Sequence, residues 1–112
     1  MTEYSAERIT AHFRGLILSG RMGAGDRLPT VRQTARDLGV AVATAAKAYR
    51  ALESSGFVVT KGAAGTRVAD QPSVLPGVVL GHVRDAVAEA RLSGISEPDL
   101  LSAVQAVWRD AT

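Results

Sequence analysis

Residues 28–68 constrain the fold most strongly, because they predict two helices in immediate succession. Thr30 and Gln33 have the spacing of a capping box, so a short helix is predicted over residues 31–38. After a glycine, a longer run with helical periodicity predicts a second helix over residues 42–54. Two helices joined by so short a turn are typical of a helix-turn-helix.

A β-hairpin is predicted directly after this helix-turn-helix, which covers about residues 31–50. Residues that favour strands surround the glycine-rich tip GAAG at 62–65, and this pattern predicts a wing over about residues 57–69. An amphipathic first helix precedes both elements, over about residues 4–19. Residues 1–70 are therefore predicted to form a winged helix-turn-helix domain, in a fold that is mostly α with one small β-hairpin.

The rest of the chain predicts a separate pair of helices. Two prolines indicate a linker over residues 71–77, and residues 78–112 then show two apolar stripes at helical spacing. Two such helices cannot bury a self-sufficient core, so this C-terminal region is predicted to mediate a symmetric homodimer. The residues predicted at the dimer interface are Val79, Val83, Val87, Leu100, Leu101, Val104 and Trp108.

Charge separates the two parts in the same way. Residues 1–69 hold ten Lys and Arg against five Asp and Glu, a net charge of +5, whereas residues 70–112 hold three against six, a net charge of −3. A basic N-terminal part predicts a polyanionic partner, and its helix-turn-helix predicts that this partner is double-stranded DNA.

Several other classes of protein are not expected. The chain has no cysteine, its two histidines, His12 and His82, are isolated, and no set of residues resembles a catalytic site, so no metal, cofactor or enzymatic activity is predicted. There is no apolar run long enough for a membrane span and no signal-type N-terminus. We therefore predict a cytoplasmic protein.

The residues of the helix-turn-helix and wing are similar to those of GntR-family winged-helix transcription regulators. The resemblance covers residues 6–68, and the short two-helix tail resembles the YtrA-like subgroup, in which such a tail implies dimerisation. The positions that match the family pattern are Gly25, Asp26, Arg27, Leu28, Pro29, Thr30, Arg32, Ala35, Leu38, Gly39, Val40, Ala48, Tyr49, Leu52, Gly56, Gly65 and Thr66.

This resemblance implies that Arg32, Thr44 and the wing around Gly65 contact DNA. Lys47 and Arg50 are added because the helical wheel places them on the outer face of the second helix of the motif. Lys61 and Arg67 flank the hairpin tip, within reach of phosphates. The full set of predicted DNA-binding residues is Arg32, Val42, Ala43, Thr44, Lys47, Arg50, Lys61, Gly65, Thr66 and Arg67.

The chain departs from the family pattern at the start of its predicted recognition helix. Ala41, Val42, Ala43 and Ala46 stand where the family commonly has polar residues. Few side chains there can hydrogen-bond to bases, so we predict modest, A·T-tolerant specificity from apolar contacts with thymine methyl groups.

The predicted function is a transcriptional regulator, most simply a repressor that binds an inverted-repeat operator as a homodimer. The alanine-rich recognition helix leaves open a protein-interaction module with weak or lost DNA reading. A sensor with a small-molecule pocket at the dimer interface is also open, its effector unknown.

Overall fold

A computed structural model describes residues 5–70 and 74–110. Its helices are α1 (Ala6–Leu18), α2 (Val31–Leu38), α3 (Val42–Ser54), α4 (Gly77–Leu92) and α5 (Glu97–Asp110). Its strands are β1 (Val58–Thr60) and β2 (Thr66–Val68), with a short 3₁₀ turn at Gly62–Ala64 between them. The chain divides into two compact units, Met1–Leu75 and Pro76–Thr112. Part of the predicted linker, residues 71–73, and the predicted start of the first helix at residue 4 lie outside the described residues.

Local signals fix the ends of the helices. Ser5 caps α1 by accepting a hydrogen bond from the Arg8 amide at 3.2 Å. The predicted capping box at α2 is present: the Gln33 amide donates to Thr30 Oγ1 at 3.0 Å, and the Thr30 amide donates to Gln33 Oε1 at 2.8 Å. Gly39 then ends α2 at φ 67°, a conformation that most other residues avoid.

The wing is a short antiparallel hairpin with a third segment beside it. β1 pairs with β2 in a register that sets Val58 opposite Val68 and Thr60 opposite Thr66. Arg27 forms an isolated bridge with Arg67 on the other edge of β2. Both strands lie within the predicted wing, and the 3₁₀ turn lies within its predicted tip.

One core holds α1, α2, α3 and the hairpin together. Its side chains come from one face of each helix and from Val58 and Val68, the one buried residue of each strand. The apolar face of α1 is buried at Ile9, Phe13 and Ile17 and partly buried at Leu16, as an amphipathic helix requires. The largest buried residues are Ile9, Phe13, Ile17, Leu28, Tyr49, Leu52, Val58 and Val68.

The unit Pro76–Thr112 has a different character. Pro76 lies just before α4, where a missing amide costs no helical hydrogen bond, and α4 begins at Gly77, one residue before the predicted position. Ser96 Oγ accepts from the Asp99 amide at 3.3 Å at the start of α5. Among the described residues of this unit, only Ala90 is buried, so most of its apolar surface faces outward.

Candidate nucleic-acid interface

The two faces of α3 differ sharply in burial. Ala45, Ala48, Tyr49 and Leu52 are buried and pack against the rest of the core. The opposite face leaves a continuous exposed surface, because its side chains lie one helical turn apart. The exposed members are Val42, Ala43, Lys47 and Arg50, all four of which were predicted to contact DNA, and the predicted Thr44 is half-buried beside them.

The N-terminus of α3 has no side-chain cap. Ala41 takes the extended conformation of a capping residue, but it has no oxygen to accept a hydrogen bond. The amides of Thr44 and Ala45 donate to the Ala41 carbonyl at 3.0 and 3.2 Å, which starts the helical ladder. Those of Val42 and Ala43 come before that ladder and are left for solvent or for an anion such as a phosphate.

A buried hydrogen-bond network fixes α3 against α2. The Tyr49 hydroxyl lies 2.6 Å from the Pro29 carbonyl oxygen and 2.7 Å from Thr34 Oγ1. Because a carbonyl can only accept, Tyr49 donates to Pro29 and Thr34 donates to Tyr49. The network sets the spacing of the two helices, and with it the position of the exposed face of α3.

Arg32 is exposed near the start of α2, on the side of that helix away from the core. Arg36 follows one helical turn later and is also exposed. The sequence interpretation did not include Arg36, although its spacing of four residues from Arg32 was a usable signal.

The wing is braced from within by one of its predicted DNA contacts. Arg67 is half-buried, and its guanidinium donates from Nη1 to the Gly25 carbonyl at 3.0 Å and from Nε to the Ala64 carbonyl at 3.2 Å. Lys61 is exposed, and its amide donates to the Gly65 carbonyl at 2.9 Å, which closes the tip. The predicted Thr66 is half-buried in β2.

Arg27 lies against the tip of this wing. A Cβ built on Gly65 would come within 3.1 Å of Arg27 Nε and 3.3 Å of Arg27 Nη2, so the guanidinium occupies the space that a side chain would need. Gly65 also adopts φ 78° and ψ −167°, a conformation essentially limited to glycine. The contact ties the segment before α2 to the tip of the wing.

Lys47 has an acidic neighbour. It lines a groove of about 290 Å³ between α1 and α3, together with Glu7, Thr10 and Arg14. The pKa of the Glu7 carboxyl is lowered, first by a hydrogen bond from its own backbone, then by the Ser5 hydroxyl, and then by attraction to the Lys47 ammonium. Glu7 is therefore ionised at neutral pH and offsets part of the positive charge that Lys47 presents.

The predicted interface residues of α4 and α5 are mostly uncovered. Trp108 is 76% exposed, and Leu100 alone of the seven is partly buried. The exposed ones are Val79, Val83, Val87, Leu101, Val104 and Trp108. The described residues of this unit therefore leave most of the apolar stripe of each helix uncovered.

Residues 5–70 and 74–110 contain no group of three or more His, Asp or Glu side chains that could hold a metal ion. None of the helices in those ranges is long and apolar enough to cross a lipid bilayer.

The geometry defines a class of protein: a winged helix-turn-helix whose second motif helix presents an exposed, partly cationic face beside a β-hairpin. Residues 5–68 match the family model of bacterial regulatory proteins, gntR family. The chain belongs to that family, and it is a transcriptional regulator with a DNA-binding helix-turn-helix. The predicted family and fold class are thus confirmed.

Proteins similar to this chain in sequence or in fold are also transcriptional regulators. The chain is 36% identical over 85 residues to the HTH-type transcriptional regulator Rv1152 of Mycobacterium tuberculosis, covering 76% of this chain and 69% of that protein. YtrA from Sulfolobus acidocaldarius, a GntR-family transcription factor, aligns over 94% of this chain and 88% of its own with a TM-score of 0.56 and 25% identity. A transcriptional regulator from Oenococcus oeni shares the fold, with a TM-score of 0.59 and 22% identity over 96% of this chain and 95% of its own.

Proposed function

We propose that this protein is a homodimeric transcriptional repressor of the cytoplasm, which binds an inverted-repeat operator in double-stranded DNA. The observation that carries the proposal is the exposed face of α3, whose opposite face is packed in the core. The exposed residues are Val42, Ala43, Lys47 and Arg50. An α-helix of this kind fits the major groove of B-form DNA. Bound there, the protein would block a promoter that overlaps its operator.

The chemistry of this face favours limited base reading. Val42 is 47% exposed and Ala43 is exposed, and neither can hydrogen-bond to a base edge through its side chain. Both can contact the methyl group of thymine. Lys47, Arg50 and Arg32 add positive charge around them, which strengthens binding to any sequence. We therefore propose modest, A·T-tolerant specificity, with Thr44 and the wing residues Lys61 and Thr66 as further contacts.

The apolar stripes of α4 and α5 support a homodimer. Val83, Val87, Val104 and Trp108 are exposed in the single chain, and burying them requires a partner surface of the same character. A second copy supplies such a surface through a two-fold axis. The two recognition helices would then read half-sites about one helical turn, or roughly 34 Å, apart.

The test of DNA reading is selection of bound sequences from random duplex DNA, followed by gel-shift titration of the selected site. We expect an inverted repeat with A·T pairs under α3 and a clear loss of affinity in Arg32→Ala. Arg21→Ala is a matched control, since Arg21 is an exposed arginine in the turn after α1. A G·C-rich consensus under α3 would contradict the specificity, and unchanged binding by Arg32→Ala would contradict the role of Arg32.

The test of assembly is the molar mass in solution by light scattering over a range of concentrations. We expect twice the 11.7 kDa of one chain for the wild type. Trp108→Ala should raise the concentration at which dimers form, whereas Gln105→Ala, an exposed polar position on the same helix, should not. A wild-type chain that stays monomeric throughout would exclude the homodimer.

A protein-interaction module is the competing function, because α3 carries so few polar side chains. Salt separates the two: phosphate contacts release counterions, so DNA binding by a repressor weakens steeply as salt rises. A chain that ignores duplex DNA even at low ionic strength would favour the interaction module.

A further inference from the structure

The arginines of the wing and of α2 differ in whether their guanidinium groups form hydrogen bonds within the protein. Arg67, a predicted DNA contact, donates hydrogen bonds from Nε to the Ala64 carbonyl and from Nη1 to the Gly25 carbonyl. Arg27 and Arg36 are exposed, and neither forms a hydrogen bond or ion pair with another side chain in the part of the chain that the structure describes. Arg27 and Arg36 therefore add two exposed guanidiniums to the predicted Arg32 and Arg50, whereas the guanidinium of Arg67 is already hydrogen-bonded within the protein.

Arg27 and Arg36 face the same cleft. It has a volume of about 630 Å³ and lies between the segment that precedes α2 and the outer face of α2 itself. Its other walls are formed by Leu28, Pro29, Thr30, Gln33 and Asp37. Gln33 Oε1 and Thr30 Oγ1 are occupied by the capping box, so the two arginines dominate the charge that the cleft offers.

The two arginines of the cleft lie beside the wing and on α2, and both of these elements carry proposed DNA contacts. Arg27 rests on Gly65 at the wing, and Arg36 is one helical turn from Arg32 on the exposed side of α2. Two arginines that line one cleft, neither with a side-chain partner among the described residues, attract an anion. The planar guanidinium group matches phosphate through paired hydrogen bonds. The Asp37 carboxylate opposes such an anion and leaves a net charge of one cation in the cleft.

We propose that Arg27 and Arg36 bind backbone phosphate of the duplex DNA between the wing and α2, and that Arg67 instead positions the wing. The Arg27 guanidinium lies against Gly65. Gly65 therefore has a second role, to leave space for that guanidinium, besides adopting its positive-φ backbone conformation. The inference rests on the proposed function and adds a site to it, since these two arginines extend the contact beyond the face of α3.

The experiment measures affinity for duplex DNA by fluorescence anisotropy over a series of KCl concentrations. Each lost phosphate contact should reduce the slope of log affinity against log salt by about 1. We expect this reduction in Arg27→Gln and in Arg36→Gln, and about twice this reduction in the double variant. The loss of affinity should be equal on the selected site and on random duplex, because phosphate contacts carry no base information.

Four further variants separate charge from wing structure. Arg27→Lys keeps the charge and should keep the slope, whereas Asp37→Asn should strengthen binding. Arg67→Gln should leave the slope near that of the wild type while lowering the melting temperature. Arg21→Gln, outside the cleft, should change the slope little. A slope lost equally in Arg27→Lys and Arg27→Gln would mean that Arg27 acts through wing structure, and would overturn the proposal.

Failure of this inference is distinguishable from failure of the proposed function. Wild-type slopes in Arg27→Gln, Arg36→Gln and the double variant, with binding still weakened by Arg32→Ala, would overturn the phosphate site alone. A wild-type protein that does not bind duplex DNA at low salt would overturn both.

Discussion

The hydroxyl of Tyr49 lies 2.7 Å from Thr34 Oγ1, and this contact joins the two helices of the helix-turn-helix in the protein interior. Thr34 is only 4% exposed and Tyr49 only 6%, so the contact lies in the protein interior. The Tyr49 hydroxyl in turn donates a hydrogen bond to the Pro29 carbonyl, so the chain of hydrogen bonds runs from α2 through α3 to the loop before α2.

Removal of this hydroxyl should destabilise the helix-turn-helix. Tyr49→Phe leaves the Thr34 hydroxyl and the Pro29 carbonyl without their partner, at a cost of about 1–3 kcal/mol in the free energy of unfolding. Chemical denaturation followed by circular dichroism measures it. Thr34→Val is the matched control and should cost less, because Tyr49 still donates to Pro29. Equal stability of Tyr49→Phe and the wild type would show that the network contributes nothing.

Stability should also fall at alkaline pH through the same residue. Burial raises the pKa of Tyr49 above its ordinary value of about 10, and the hydrogen bond with Thr34 opposes this only in part. Above pH ~10 the unfolded chain loses the phenol proton first, so the folded state binds more protons and its free energy of unfolding decreases as pH rises. Below that pH the contribution is fully present.

Denaturation midpoints from neutral pH to beyond pH ~10 test this effect. Tyr49→Phe provides the comparison, since it lacks the titrating group and should show a smaller alkaline decline. Parallel curves for the two proteins would rule out Tyr49 as the source.

Gly65→Ala should disturb both the wing and the arginine upon it. The backbone conformation of this position costs any residue other than glycine about 1–3 kcal/mol. The added Cβ would also meet Arg27 Nε at 3.1 Å. We expect a lower melting temperature and faster amide hydrogen exchange in β1 and β2. Ala63→Gly, at an exposed position of the same tip, is the control and should have little effect on the wing. An unchanged exchange pattern in Gly65→Ala would contradict this account.

The uncapped start of α3 predicts a gain in stability. Ala41→Ser supplies a hydroxyl to accept from the first amides of the helix, and a serine cap is worth about 1 kcal/mol over alanine. The melting temperature should rise, and Ala51→Ser, an exposed position inside α3, should not raise it because serine has lower helix propensity there. A melting temperature that is the same or lower in Ala41→Ser would mean that the cap does not form.

Much of the fold was readable from local signals. Thr30 with Gln33, the positive-φ residue Gly39 and the apolar spacing of α1 each identify an element through interactions within a few residues of sequence. The bounds of α2 follow from its capping box and Gly39, whereas those of α3, which has no side-chain cap, follow from its helical periodicity and from Gly56 just beyond its end. The wing strands lie within the predicted range, but strand propensity did not reveal that the tip is a 3₁₀ turn at Gly62–Ala64.

The contacts of the individual basic residues could not be predicted from the sequence in the same way. Arg67 and Lys61 look equivalent in the sequence, as basic residues on either side of a tip. Only the fold brings the Gly25 carbonyl, forty-two residues away, within 3.0 Å of Arg67. The contact of Arg27 with Gly65 likewise joins two distant segments. Periodicity reports which face a residue occupies, and it carries no information on which partner lies across from that face.

Ala90 is the one buried side chain among the described residues of the unit Pro76–Thr112, and this scarcity bears on gene control. If α4 and α5 gain most of their order from pairing, assembly and folding of this region are a single event governed by mass action. Promoter occupancy then climbs more steeply than in proportion to the number of chains in the cell. Synthesis and turnover of the regulator would by themselves switch its target, with no inducer needed.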